Sequence, residues 1–251
     1  MKNLTILRFF MALALVLSPL PASGQEIDTS LFKPSQIISV ETSKKQLKVY
    51  YMEEPHTRTL HCECHFDKQK QVYPAICEGV ESPPADTARK EILKWEHLMP
   101  LPAFAGNLKC WTQPACQNAG AGNDPGCCRV HSPKFKRMEA DMHNLFPAIE
   151  VAGESPDTRF GGMAEYRFCR SSLPDAPREG ARGEVARAYF YMSYQYKIPI
   201  PDDLEDTLRQ WHLADPPDAW EEKRNTMIEL DQGNRNPFID HPELVERVRD
   251  F

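Results

Sequence analysis

An α+β fold, mostly helical and loop-rich, closed into a single domain by disulfides, is what the sequence predicts. Three observations carry that expectation. Segments with apolar residues at helical spacing outnumber segments that alternate. All eight cysteines, an even number, lie beyond a leader of the export type. The 22 prolines are scattered along the chain, which breaks it into short elements joined by loops.

The leader is "MKNLTILRFFMALALVLSPLPASGQ". Lys2 and Arg8 precede an apolar run from Phe9 to Leu17, and Ala22 and Gly24 fit the small-residue cleavage pattern. The run is too short to span a bilayer, and no later stretch is apolar enough to do so. The expected organisation is a signal peptide over residues 1–24 and one domain over 25–251, placing the protein in the periplasm or outside the cell. Losing Lys2 and Arg8 and no acid takes the formal net charge from −6 to −8. So acidic a chain grips nucleic acid only through a local basic patch with a cation at the site. No repeat or Gly/Ser linker divides the domain.

Elements follow in order. "SKKQLKVYYMEE" has Leu47, Tyr50 and Tyr51 at helical spacing and predicts a helix. "RTLHCECHF" alternates Leu60, Cys62, Cys64 and Phe66, the pattern of a half-buried strand. Residues 105–131, with their cysteines and "NAGAGNDPG", predict a disulfide-pinned loop region. "SPKFKRMEADMHNLFP" reads as one helix, with Ser132 as cap, Pro133 in the first turn, a stripe of Phe135, Met138, Met142 and Leu145, and Pro147 beyond its end. "RGEVARAYFYMSYQYKIP" predicts a helix with Val185, Ala188, Tyr189, Met192 and Tyr196 inward. "DAWEEKRNTMIELDQG" predicts another, ending near Gly233, and His241-Pro242 starts a short C-terminal helix.

"HCECH" at 61–65 also has the look of a zinc cluster. On a strand, however, Cys62 and Cys64 face one way while His61, Glu63 and His65 face the other, so the five do not converge on one ion. Disulfide formation is the favoured reading, and the pairing is not legible from sequence.

The chemistry centres on "KWEHLMPLPAFAG" at 94–106. Neighbours on a strand point to opposite faces, so Glu96 and His97 meet only where the backbone bends, or where both face a ligand at a strand end. As a bare pair they are an ordinary surface pair. Asn144, off the apolar stripe of its helix, is by itself an ordinary capping or solvent-facing amide. Together the three form a constellation: a carboxylate and an amide oxygen are hard ligands suited to Mg²⁺, and a histidine beside them is free to take a proton from water.

"WEHLMP", "MEADMHNLFPAIEV", "ARAYFYM" and "GNRNPFIDHP" occur in this order. The series resembles the signatures of the bacterial endonuclease I family, from about residue 43 to residue 242, nearly the whole exported chain. The resemblance implies an exported, disulfide-containing, non-specific endonuclease with a ββα-metal (His-Me) finger at its active site. It implies His97 as general base, Glu96 and Asn144 as ligands of one Mg²⁺, for which Mn²⁺ or Ca²⁺ can substitute in binding, and Trp95 and Met99 as packing residues that fix a bend. The substrate it implies is DNA, with RNA as an alternative, held by its phosphate backbone and cut to leave 5′-phosphate ends. Neither a membrane nor a protein partner is implied. No recognition helix, finger array or base-stacking motif is evident, which agrees with non-specific cleavage.

The chain departs from the family pattern in one respect. The family places an arginine between the cysteines corresponding to Cys110 and Cys116, whereas "CWTQPAC" has no basic residue. Arg159, in the longer segment "ESPDTRFGG", is a candidate substrate-binding residue, and Lys109 and Arg129 are further candidates or ordinary surface charges. Two other readings stay open: a secreted binding module that kept the fold and lost activity, and a disulfide-rich zinc hydrolase using His61, His65 or His241.

Overall fold

The computed structural model describes residues 27–52, 56–72, 77, 91–118, 122–150 and 176–251. The expected leader, Arg159 and Cys169 lie outside the described residues. Helix α1 (Val40–Tyr50) starts where Ser39 accepts a hydrogen bond from the Thr42 amide, and it buries Val40, Leu47 and Tyr50. Strands β1 (Gln71–Val72) and β2 (Glu91–His97) pair antiparallel. Between β2 and the last strand lies a segment of short elements: α2 (Leu101–Ala105), α3 (Lys109–Thr112), the paired β3 (Gln117–Asn118) and β4 (Gly122–Asn123), α4 (Pro125–His131) and α5 (Pro133–Ala140). Strand β5 (Leu145–Glu150) then returns antiparallel to β2, giving the sheet order β1-β2-β5.

The C-terminal half is helical. Helix α6 (Arg182–Tyr196) is buried on nearly every side, and α7 (Asp202–Ala214), α8 (Ala219–Gln232) and α9 (Pro237–Asp240) follow. Gly183 is required at the start of α6: a Cβ there would lie 1.8 Å from the Asp215 carbonyl oxygen. A further 3-10 turn, Pro242–Arg247, follows His241 as expected.

Two apolar clusters hold these parts together. One gathers Phe135, Met138, Phe146, Phe190, Leu208 and Phe238 around α6. The other joins Leu47, Phe66, Leu93, Trp95, Leu145, Ile149 and Ile228, and so seats the sheet against α1 and α8. Strand β5 serves both clusters, which explains its nearly continuous apolar sequence. Helix α7 has a legible signal that the expectation passed over: Asp202, Asp203 and Glu205 in its first turn, and Leu204, Leu208 and Trp211 buried on one stripe.

Two expected elements differ. Residues 58–66 form no strand. They make a tight turn in which the Thr59 amide donates to the Cys64 carbonyl, the Glu63 amide donates to the Thr59 carbonyl, and Glu63 adopts φ 50°. Leu60, Cys62, Cys64 and Phe66 are buried as the alternation required, but His61 between them is buried too. The single helix read over 132–147 stops at Ala140, although Ser132 caps it as expected, accepting from the Phe135 amide at 3.1 Å. Asp141 leaves helical geometry at ψ 115° and caps a separate 3-10 turn, Met142–Asn144, after which β5 begins. Pro147, expected beyond a helix end, sits inside β5 opposite Trp95, on an outer strand of this sheet where its missing N–H costs no ladder bond.

The cysteines form disulfides. Cys64 bonds Cys77, Cys110 bonds Cys128, Cys116 bonds Cys127, and Cys62 is also oxidised. The expected pinned region between residues 105 and 131 is thus real, and it contains the short helices α3 and α4.

Candidate active site

Glu96 and His97 are the last two residues of β2, in register with Phe146 and Leu145. Pairing is regular through His97, and the chain turns only at Leu98 and Met99. The expected bend between the two side chains is therefore absent. What remains is the other arrangement, two adjacent side chains at the point where the ladder ends.

The half-buried imidazole of His97 sits edge-on to Phe104 of α2, with ring centroids 5.5 Å apart. Its Nε2 lies 2.8 Å from the carbonyl oxygen of Glu139, near the end of α5. A carbonyl only accepts, so Nε2 carries the hydrogen and Nδ1 keeps the lone pair. Nδ1 has no hydrogen-bond partner among the described residues. Burial pushes the imidazole below its usual pKa; the Glu139 carbonyl and carboxylate oppose that shift, and the Lys44 and Arg129 cations add to it. The ring is thus held neutral near pH 7, with its basic nitrogen free.

Glu139 has a second task. Its carboxylate is nearly inaccessible and takes a forked pair of bonds from Arg129, with Nε at 2.8 and 3.0 Å and Nη2 at 2.6 Å. One residue therefore touches both the histidine, through its main chain, and an arginine of α4, through its side chain.

Glu96 points one oxygen at Lys94, while its other oxygen, Oε2, is buried with no hydrogen-bond partner among the described residues. A buried carboxylate oxygen without a donor is costly and asks for a cation. That orphan fits a hard divalent ion. Among the described residues no group of three or more His, Cys, Asp or Glu side chains gathers at one point. A single carboxylate suits Mg²⁺, which keeps most of its waters, better than it suits an ion needing a full protein cage.

Asn144 is placed differently from the expectation. It is completely buried, its Oδ1 accepts the Met99 amide at 2.8 Å, and its Nδ2 donates to the Met99 carbonyl at 3.0 Å. Its own carbonyl accepts from the Leu98 amide at 3.0 Å. In this arrangement the side chain clamps the turn after His97, and its amide oxygen is already engaged.

The 3-10 turn carrying Asn144 is held from below. Buried Asp141 accepts from Tyr191 at 2.8 Å, from Tyr196 at 2.6 Å, from Gln232 at 2.8 Å and from the His143 amide at 3.0 Å. Arg224 of α8 donates to the Met142 and Leu145 carbonyls at 2.6 and 2.8 Å and lies 4.0 Å over the Phe146 ring. Sequence reading missed Glu139 and Asp141. The Glu139 contact to His97 uses a backbone oxygen, which no side-chain identity signals. A carboxylate such as Asp141, just past a helix and facing two α6 tyrosines, shows only once the helices are packed.

The zinc reading of 61–65 fails on chemistry, since the Cys62 and Cys64 sulfurs are committed to disulfides and are not thiolates.

A family model described as Endonuclease I matches residues 26–243. The chain belongs to the endonuclease I family. This endonuclease is 32% identical over 219 residues to an extracellular deoxyribonuclease of Aeromonas hydrophila, covering 82% of this chain and 91% of the relative. It is 33% identical over 197 residues to a periplasmic deoxyribonuclease of the same species, covering 74% and 79%. An extracellular ribonuclease of Bacillus subtilis (strain 168) is 36% identical over 132 residues, 43% of this endonuclease and 46% of the relative.

Proposed function

We propose that the chain is an exported, magnesium-dependent endonuclease that hydrolyses the phosphodiester backbone of DNA without sequence preference, with His97 as general base. The observation that carries this reading is the 2.8 Å contact of His97 Nε2 with the Glu139 carbonyl. It aims the ring and leaves Nδ1 as the only nitrogen able to accept a proton. Burial keeps that nitrogen unprotonated near neutral pH. A base so positioned is worth about 10²–10⁴ in rate.

His97 Nδ1 takes a proton from water, and the resulting hydroxide attacks phosphorus in line. The bond to the 3′ oxygen breaks, that oxygen takes a proton from solvent, and the product carries a 5′ phosphate. Glu96, through its unpartnered Oε2, is the residue that would hold Mg²⁺. When bound, the ion supplies positive charge to the phosphate oxygens and the leaving group. Asn144 contributes by fixing the Leu98–Met99 turn and so the end of β2 that carries both functional side chains. Arg159, outside the described residues, is proposed as a further contact to the substrate's phosphate backbone.

DNA is favoured over RNA because relatives named as deoxyribonucleases cover 82% and 74% of this chain, and the one named as a ribonuclease covers 43%. The names of these relatives, the leader and the disulfides all favour a periplasmic or secreted location.

The test is a cleavage assay on plasmid, single-stranded DNA and RNA with purified protein. Activity should vanish with EDTA, return with Mg²⁺, and fall about 10²–10⁴-fold in His97→Ala at unchanged melting temperature. A His97→Ala protein cutting at the wild-type rate sinks the mechanism. Return with Zn²⁺ alone favours the zinc hydrolase, and inactivity under every condition favours a binding module.

A further inference from the structure

We infer that Arg129 is the residue that grips the scissile phosphate, its guanidinium presented beside His97 by the side chain of Glu139. The inference rests on reading His97 as the base and adds a positive charge at the scissile phosphate itself, beside the substrate contact given to Arg159.

The geometry is built rather than incidental. Arg129 gives Nε and Nη2 to the Glu139 carboxylate, while Nη1 has no partner among the described residues. The carboxylate is 4% exposed and the arginine side chain 49% exposed, so the pair is anchored at one end and open at the other. A surface arginine loses entropy whenever it is held, but this one is held already, and its free edge costs little to engage. The backbone beneath it is fixed as well. Cys127 and Cys128, the two residues before Arg129 on α4, are tied to Cys116 and Cys110.

Position follows from Glu139. The residue whose carboxylate clamps Arg129 is the one whose carbonyl takes the His97 hydrogen, so charge and base share a single support. The Arg129 charge is felt at the imidazole, as is that of Lys44, whose helix α1 reaches α5 through a hydrogen bond from Ser43 to the Ala140 carbonyl. A phosphodiester attacked by water activated at Nδ1 would lie within the field of both cations. In a chain of formal net charge −6, such a local pair is what a polyanion can approach. Arginine presents a planar edge able to donate two bonds to phosphate oxygens, which a lysine cannot reproduce.

The test uses the full disulfide-bonded protein with Mg²⁺. Arg129→Gln should lower kcat/KM on DNA about 10²-fold, and Arg129→Lys should recover only part of it. Binding is measured in a His97→Ala background, so that substrate survives. There Arg129→Gln should reduce the slope of log Kd against log salt by about 0.9, irrespective of DNA sequence. Because Arg129→Gln leaves a buried carboxylate unpaired, Arg129→Gln with Glu139→Gln is made in parallel. That double variant removes both charges and retains the Glu139 carbonyl under His97. The same loss of rate and slope in a double variant that melts like wild type supports the inference. Wild-type rate and slope in either variant, with His97→Ala inactive, overturn Arg129 and leave the His97 reading standing. An active His97→Ala overturns the reading beneath it.

Discussion

Asn144→Ala separates a clamp from a metal ligand. The substitution removes the bonds at 2.8 and 3.0 Å to the Met99 amide and carbonyl, and Met99 is itself 1% exposed. Two buried backbone groups are then left without partners, each costing about 1–3 kcal/mol. With some relaxation of the turn, a net loss of roughly 3 kcal/mol is expected, a large share of the about 5–15 kcal/mol that holds a domain folded. For a chain of this size that lowers Tm by roughly 6–12 °C. Activity should fall, because the turn that ends β2 is no longer pinned. Mg²⁺ affinity, measured by calorimetry on folded protein below the new Tm, should stay close to wild type. Glu96→Ala is the control, expected to abolish metal binding with little change in Tm. If Asn144→Ala melts like wild type and has lost its Mg²⁺ affinity, the amide is a ligand and the clamp is refuted.

Three further outcomes are expected. Because burial lowers the His97 pKa, log kcat/KM should climb only below about pH 6.5 and be flat through neutrality; an acid limb centred above 6.5 contradicts a neutral buried base. His61 and His143 are each held by burial at a pKa of about 3, so the unfolded chain takes up protons first. The stability they confer is complete above about pH 6.5 and is lost as pH falls toward 3, and an unchanged urea midpoint near pH 4 would show that they are not buried as described. Full reduction, with free thiols counted, should abolish nuclease activity, since each bridge is worth about 2–5 kcal/mol and two of them hold the segment between β2 and α5; a reduced protein that keeps its rate confines the bridges to protecting the fold.

The legibility of the fold follows from how local each signal is. Helices α6 and α8 were readable because their apolar spacing and their ends, such as Gly233 at φ 85°, lie within the segment itself. The helix over 132–147 was overextended because Met142 and Leu145 continue its stripe, and nothing local shows Asp141 leaving to meet two tyrosines and a glutamine. The turn at 58–66 alternates like a strand because four buried residues happen to be spaced by two, yet its shape is set by Thr59 bonds and disulfides. At the site, Glu96 and His97 stand out in the sequence because they are adjacent. The engagement of Asn144 with Met99 and the double role of Glu139 do not, since both depend on backbone atoms brought together across 42 residues or more.

The nested bridges Cys110–Cys128 and Cys116–Cys127 set a problem for the growing chain. Cys127 and Cys128 are neighbours, and exchanging their partners would give two bridges enclosing loops of almost the same size, so loop entropy scarcely distinguishes right from wrong. Geometry does distinguish them. On helix α4, one residue is a turn of about 100°, so swapped bridges would roll the helix and swing Arg129 away from Glu139. The packing of α4 against α5 therefore favours the observed pairing, and a wrongly paired chain would have to be reshuffled by thiol exchange before α4 could seat there. A host that supplies an oxidant without an isomerase should yield soluble protein with no free thiols and little activity.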